Sequence, residues 1–206
     1  MSPSILFWDV DTQTDFICPG GKLYIAGAED IVFNLKRLTD CAARNGILVI
    51  ASVCAHQPDD REFDLYPPHC LVGTCGQQKI PETQLPNALV LPNRSVPLPR
   101  DLLHYQQLIL EKQKLDVFSN PNTERVLEQL KSVRDIILYG VATETCVARA
   151  WNGLARRQYR LRLITDATRY LDKTEADLFL KQVGTASGML VTTQEIIAEF
   201  SSPRTL

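Results

Sequence analysis

The chain has 206 residues, 45% of them hydrophobic, and a formal net charge of -2 with both signs interspersed. That length suits one α/β domain with a sizeable core, so residues 1–206 are read as a single domain. The charge balance leaves no basic face for nucleic acid or an anionic membrane surface. No apolar run approaches the roughly 18 residues of a membrane span. The N-terminus lacks a charged region followed by an apolar one, so a cytoplasmic protein with no membrane partner is expected. Cys18, Cys41, Cys54, Cys70, Cys75 and Cys146 are too sparse for a disulfide scaffold, and none is spaced C-x-x-C; all are expected to be thiols.

Ile5 to Val10 reads as the first strand, apolar except for Asp9, and runs directly into Asp11-Thr12-Gln13-Thr14-Asp15-Phe16. Polar groups therefore collect at its carboxyl end. Ile31, Leu35, Leu38 and Ala42 mark one face of a helix that Asn45-Gly46 stops, and Ile47 to Val53 is a second buried strand. Residues 54 to 85 break the pattern with Pro58, Pro67, Pro68, Gly73, Gly76 and Pro81. A loop of that length in a compact domain is functional or disordered, and His56, Tyr66 and His69 argue for function. Asn87 to Leu91, bracketed by prolines, reads as a short edge strand. Leu108 to Leu110 is the next strand and leads into Glu111-Lys112; a helix from about Asn122 shows Val126, Leu127, Leu130 and Val133 on one side.

Ile136 to Tyr139 is a β-branched apolar run, and after Gly140 the spacing changes to Val147, Ala150, Trp151 and Leu154, which is helical. With Thr143 as N-cap, Cys146 falls at the third helical position, where unpaired amides and the helix dipole lower a thiol pKa. The strand Leu161 to Ile164, a helix from about Lys173 and the strand Met189 to Val191 follow; residues 201 to 206 read as a frayed tail. Alternating strands and helices predict an α/β fold, a three-layer α/β/α sandwich with a parallel sheet of about six strands.

Ligands on such a sheet bind beyond the carboxyl ends of the strands. Asp11, the 54–80 loop, Lys112 and Cys146 all follow strand ends, so they face one crevice. There a carboxylate can take a thiol proton while an ammonium stabilises the thiolate. Taken singly, Asp11 also suits a helix cap, Lys112 a surface ion pair and Cys146 a small core residue.

Three motifs together resemble the isochorismatase-like cysteine hydrolases, a family that includes nicotinamidases and carbamoyl-sarcosine amidases. They are Asp11-x-Gln13-x-Asp15-Phe16; Pro67-Pro68-His69-Cys70 with Gly73-Thr74 and Gly76; and Gly140-Val141-Ala142-Thr143-x-x-Cys146-Val147, with Lys112 ahead of Phe118. The resemblance implies a catalytic triad of Asp11, Lys112 and Cys146 and a cis peptide between Val141 and Ala142 that aims the Ala142 and Cys146 amides at an oxyanion. It implies a small-molecule amide substrate walled by Phe16 and Tyr66, a thioester intermediate, release of ammonia, and a homo-oligomer.

Nicotinamidases of the family hold a divalent metal with an Asp-x-His element, a second histidine and the histidine of Pro-Pro-His-Cys. This chain has Cys54-Ala55-His56 at the first element and Asp60 or Glu62 at the second. Cys54, His56 and His69 would suit zinc, although the thiol chemistry requires no cofactor. A ureide or carbamoyl compound cleaved without metal is therefore the alternative substrate. Two other classes compete with an amidase. A silent binding protein on the same fold is one; a redox sensor is the other, which needs a resolving thiol that does not lie near Cys146 in sequence.

Overall fold

The computed structural model describes residues 4–185 and 189–201, so of the tail expected over residues 201–206 only Ser201 is described, as the last residue of a helix, and the rest lies outside the described residues. Seven strands form one sheet: β1 (Ile5–Val10), β2 (Val49–Cys54), β3 (Ala88–Leu91), β4 (Gln107–Lys112), β5 (Asp135–Val141), β6 (Arg160–Arg169) and β7 (Met189–Val191). Their order is β3-β4-β2-β1-β5-β6-β7, and every pair is parallel. The expected count of about six rises to seven because the proline-bracketed segment pairs at the edge, Ala88 to Leu91 against Gln107 to Leu110. All six residues of β2 are buried, as a parallel sheet covered on both faces requires.

Alternation along β1 divides the interior in two. Leu6, Trp8 and Val10 pack with α3 (Thr123–Gln129), α4 (Ala148–Arg156) and α5 (Lys173–Thr185), through Val126, Trp151 and Phe179. Phe7 on the other face packs with α1 (Thr14–Ile17), α2 (Val32–Asn45) and α6 (Thr193–Ser201), through Ile17, Leu38 and Ile196. This is the three-layer sandwich. Gly46 ends α2 in the left-handed region at φ 61, its N–H returning to the carbonyls of Ala42 and Ala43. The last helix, α6, was not legible in the apolar spacing; the Asp166 carboxylate fixes its start by accepting from the Thr193 N–H at 2.7 Å.

β1 lies between β2 and β5, so the chain moves outward from β1 in one direction and later crosses to its other side. The carboxyl ends of β1 and β5 are therefore the topological switch point, where an α/β sheet opens a crevice. The close approach of these strands is set at Gly140. It pairs with Val10 where the register against β6 shifts, has φ 116, and leaves no room for a Cβ beside the Val10 backbone.

Gly46 and Gly140 share a positive φ, but open space surrounds only Gly46. Gly46→Ala should cost about 1 kcal/mol, and Gly140→Ala at least about 2 kcal/mol more because clash adds to strain. Urea unfolding of both variants measures the difference; equal stabilities would mean that β5 can retreat from β1 freely.

Candidate active site

Asp11 follows β1 directly and holds a left-handed backbone, φ 52, in a residue other than glycine. Its N–H donates to the Ser52 carbonyl at 3.0 Å, and its Oδ1 accepts from Ser52 Oγ at 2.7 Å. Lys112, the last residue of β4, places its Nζ 2.8 Å from Asp11 Oδ2. Each residue is 1% exposed, so Lys112 makes a buried pair with Asp11 rather than the surface ion pair it suits when taken singly. Nor does Asp11 cap a helix, since Gln13 occupies the N-cap of α1. The same Nζ donates to Cys54 Sγ at 3.1 Å and Cys146 Sγ at 3.5 Å. One carboxylate and two sulfurs thus take the three N–H groups of the ammonium. Burial opposes its charge, but Asp11 and the neighbouring sulfurs outweigh that and hold Lys112 protonated well above the usual lysine range.

The Val141–Ala142 peptide is cis, and the chain then makes a π turn over Thr143–Val147 before α4 begins. The Ala142 carbonyl accepts from both Thr145 N–H at 3.2 Å and Val147 N–H at 3.1 Å. Ala142, not Thr143, is therefore the N-cap, no side chain caps the turn, and Cys146 stands at the fourth position rather than the third. The expected lowering of its thiol pKa is also overturned. Burial pushes the Cys146 thiol well above the ordinary cysteine value; Lys112 pulls it down and Asp11 adds to the rise. The resting arrangement is a neutral thiol beside an ion pair.

A cleft of about 330 Å³ opens over these groups. Asp11, Cys54 and Cys146 form its base, and Val141 and Ala142 line it beside Cys146. Phe16 and Tyr66, the two aromatic residues singled out in the sequence, both reach its wall, joined by Leu23, Ile25, Leu115 and Leu171.

The loop after β2 brings His56 and His69 together, with ring centres 4.8 Å apart. His56 Nδ1 bonds Asp60 Oδ2 at 2.9 Å and His69 Nδ1 bonds the Pro67 carbonyl at 2.8 Å, so each Nε2 is turned to the interior. His56 Nε2 is buried with no hydrogen-bond partner. Glu62 Oε1 stands 3.9 Å from it and 3.8 Å from His69 Nε2. Donor atoms of Cys54, His56 and His69 lie within 4.8 Å of one another. Burial holds His69 below the usual histidine range and thus in the neutral form that ligates a metal. An orphaned imidazole nitrogen, a second imidazole fixed from behind and adjacent sulfur and carboxylate donors fit a divalent ion. Of the two candidates for the missing histidine, Asp60 orients His56 and Glu62 faces both rings.

The isochorismatase domain model matches residues 5–195. The chain belongs to the isochorismatase family. A protein of Arabidopsis thaliana described as a probable inactive nicotinamidase is 26% identical to it over 169 residues, 77% of each chain. An isochorismatase-like hydrolase from Alkaliphilus metalliredigens superposes with a TM-score of 0.76 at 19% identity, covering 96% of this chain and 100% of that one. A pyrazinamidase of Pyrococcus horikoshii in complex with zinc gives 0.74 at 21% identity, covering 92% and 99%. At these identities the two structures establish the shared fold.

Within this isochorismatase-family site, several supports escaped the sequence reading. Gln13 clamps Cys54, its Nε2 donating to the Cys54 carbonyl at 2.8 Å and its Oε1 accepting from the Cys54 N–H at 2.7 Å. Asp15 accepts from the Cys70 N–H at 2.7 Å, fixing the residue after His69. Ser52 could have been found: it is a polar residue in an apolar strand, two before Cys54 and hence on the same side.

Because only the thiolate alkylates and the folded-state thiol pKa is raised, Cys146 should react slowly with iodoacetamide at neutral pH. Its rate should climb only at a pH above that of a free thiol, and the exposed Cys75 should react first. Lys112→Met removes the pull toward thiolate and should move the Cys146 curve further up, by about 1 pH unit or more. Site-resolved mass spectrometry across pH reads both curves; a Cys146 that alkylates fastest at neutral pH would show that the thiolate is the resting form.

Proposed function

We propose that the protein is a cysteine-dependent amidohydrolase that cleaves the C–N bond of a small uncharged carboxamide through a thioester and releases ammonia. The observation that carries this reading is the single ammonium of Lys112, 2.8 Å from the Asp11 carboxylate and 3.5 Å from Cys146 Sγ at the base of the cleft. Asp11 takes the thiol proton as sulfur attacks the carbonyl carbon, and Lys112 offsets the negative charge that passes from carboxylate to sulfur. The Ala142 and Cys146 amides serve the developing oxyanion. Protonated Asp11 returns its proton to the departing nitrogen, then deprotonates the water that hydrolyses the thioester.

The cleft walls favour an apolar acyl group. Among the described lining residues no arginine is present, and the neighbouring ammonium of Lys112 is committed to Asp11. A carboxylate-bearing ureide or carbamoyl compound would enter without a cationic partner, at a cost in desolvation. His56 and His69, with Glu62 or Cys54 as a further donor, are the residues that would hold a divalent ion. Such an ion supplies an electrophilic anchor for a lone pair on the substrate ring. The inactive description of the Arabidopsis thaliana relative supports a second reading, a ligand-binding protein without turnover.

Ammonia release from nicotinamide, pyrazinamide and a panel of aliphatic amides and ureides separates these readings. Cys146→Ala and Asp11→Asn should each lower turnover at least about a thousandfold. Elemental analysis of the purified protein should find a divalent metal that His56→Ala loses, with chelator-sensitive turnover. No release from any member of the panel by a folded protein whose Cys146 thiol is unreactive would favour the second reading.

A further inference from the structure

Cys54 makes and breaks no bond in that chemistry, where it is at most a further donor to a metal, yet its sulfur shares an ammonium with Cys146. Lys112 Nζ is 3.1 Å from Cys54 Sγ and 3.5 Å from Cys146 Sγ, so the two sulfurs can be no further apart than those contacts laid end to end. Both residues line the same cleft, at 1% and 6% exposure. Cys54 Sγ also lies 3.9 Å from Asp11 Oδ2, the carboxylate assigned to the nucleophile's proton. Each cysteine sits where a regular element gives way, Cys54 at the last position of β2 and Cys146 in the π turn before α4. Neither sulfur is held in mid-strand.

The other four thiols do not share this placement. Cys70 Sγ is turned to the Gly76 carbonyl at 3.7 Å and does not line the cleft, Cys18 is half-buried at the end of α1 and does not line it either, Cys41 is buried on α2, and Cys75 is exposed. The resolving partner absent from the sequence neighbourhood of Cys146 is supplied by the fold, from the strand end two places across the sheet.

We propose that Cys54 and Cys146 form a reversible redox pair, in which a small hydroperoxide oxidises Cys146 and Cys54 resolves it to a disulfide. In the first step Cys146 sulfur attacks a peroxide oxygen and its proton passes to Asp11. The O–O bond breaks, the peroxide is reduced to an alcohol or water carrying that proton, and Cys146 is left as a sulfenic acid. In the second step Cys54 sulfur attacks the sulfenic sulfur, the S–O bond breaks, and the hydroxyl leaves as water with the Cys54 proton. The two thiols together lose two electrons and the hydroperoxide gains them. Closure requires both sulfurs to give up their contacts with Lys112 Nζ and to approach each other to about 2.05 Å. Without Cys54 the sulfenic acid proceeds to sulfinic acid, which thiol reductants do not reverse.

The test is independent of amide turnover. The full-length protein is exposed to hydrogen peroxide in its native state, free thiols are blocked with N-ethylmaleimide, and unreduced peptides are mapped by mass spectrometry. The main product should be a Cys54 peptide linked to a Cys146 peptide, short of two hydrogens, with dithiothreitol restoring both thiols. Cys70→Ser should retain that link. Cys54→Ser should instead accumulate sulfinic and sulfonic acid at Cys146, and dithiothreitol should not recover it. Wild-type protein that forms sulfinic acid at Cys146 with Cys54 still free, links Cys146 elsewhere, or leaves both thiols untouched would overturn the proposal. The wild-type map decides the matter even if Cys54→Ser does not fold.

Discussion

The buried ion pair between Asp11 and Lys112 is the constraint on which the arrangement of the site depends. Two full charges at 1% exposure are tolerated only when each is paired and its remaining hydrogen-bonding capacity is met. Ser52 Oγ meets that need on Asp11, and the sulfurs of Cys54 and Cys146 meet it on Lys112. These groups come from the ends of β1, β2 and β4 and from the turn after β5. The strand order places β4, β2, β1 and β5 side by side, so a single charge pair spans the width of the crevice. Removing either partner strands a charge in the interior, an effect of about 3–5 kcal/mol in comparable buried pairs.

A second buried pair secures the long loop that supplies the histidines. Lys79 Nζ stands 2.6 Å from Asp9 Oδ2 and 2.7 Å from Thr12 Oγ1. Burial raises the Asp9 pKa while Lys79 opposes the rise. Around it the backbone of the loop locks onto the chain after β1: Thr14 N–H donates to the Gln78 carbonyl and Ile80 N–H to the Thr12 carbonyl. Gln13 and Asp15 extend the same attachment to Cys54 and Cys70. The seven residues from Asp9 to Asp15 therefore carry the Asp11 carboxylate and five anchors, Asp9, Thr12, Gln13, Thr14 and Asp15, which explains why all but Val10 are polar beside an apolar core.

Much of this was legible because strand ends mark themselves. Apolar runs that stop shortly before Asp11, Lys112 and Cys146 fix which segments reach the crevice whatever the strand order. The order itself, and the edge pairing of Ala88 to Leu91, depend on packing between distant segments and leave no periodic trace. The thiol at Cys146 shows a different limit. Its position at a helix start favours thiolate, but burial is a property of the assembled fold and outweighs that local effect. Glu62 was visible only as a substitute for a histidine; its place between two Nε2 atoms required the loop's path.

The exchange of carboxylate for thiol at position 54 alters the charge balance of the whole site. As folded, Lys112 faces one carboxylate and two neutral sulfurs, so the cluster is neutral at rest. Passing the Cys146 proton to Asp11 converts carboxylate plus thiol into acid plus thiolate, and the cluster stays neutral throughout. A carboxylate at position 54 would add a negative charge beside that same ammonium, compete for it and disfavour the thiolate unless a bound cation compensated. With Cys54 in that place the proposed thiol chemistry does not call for a compensating cation, and on that reading a metal at His56 and His69 would serve to hold substrate. The same exchange also sets a second sulfur beside the first, both on the Lys112 ammonium. Charge balance and the proposed oxidation chemistry thus follow from one residue.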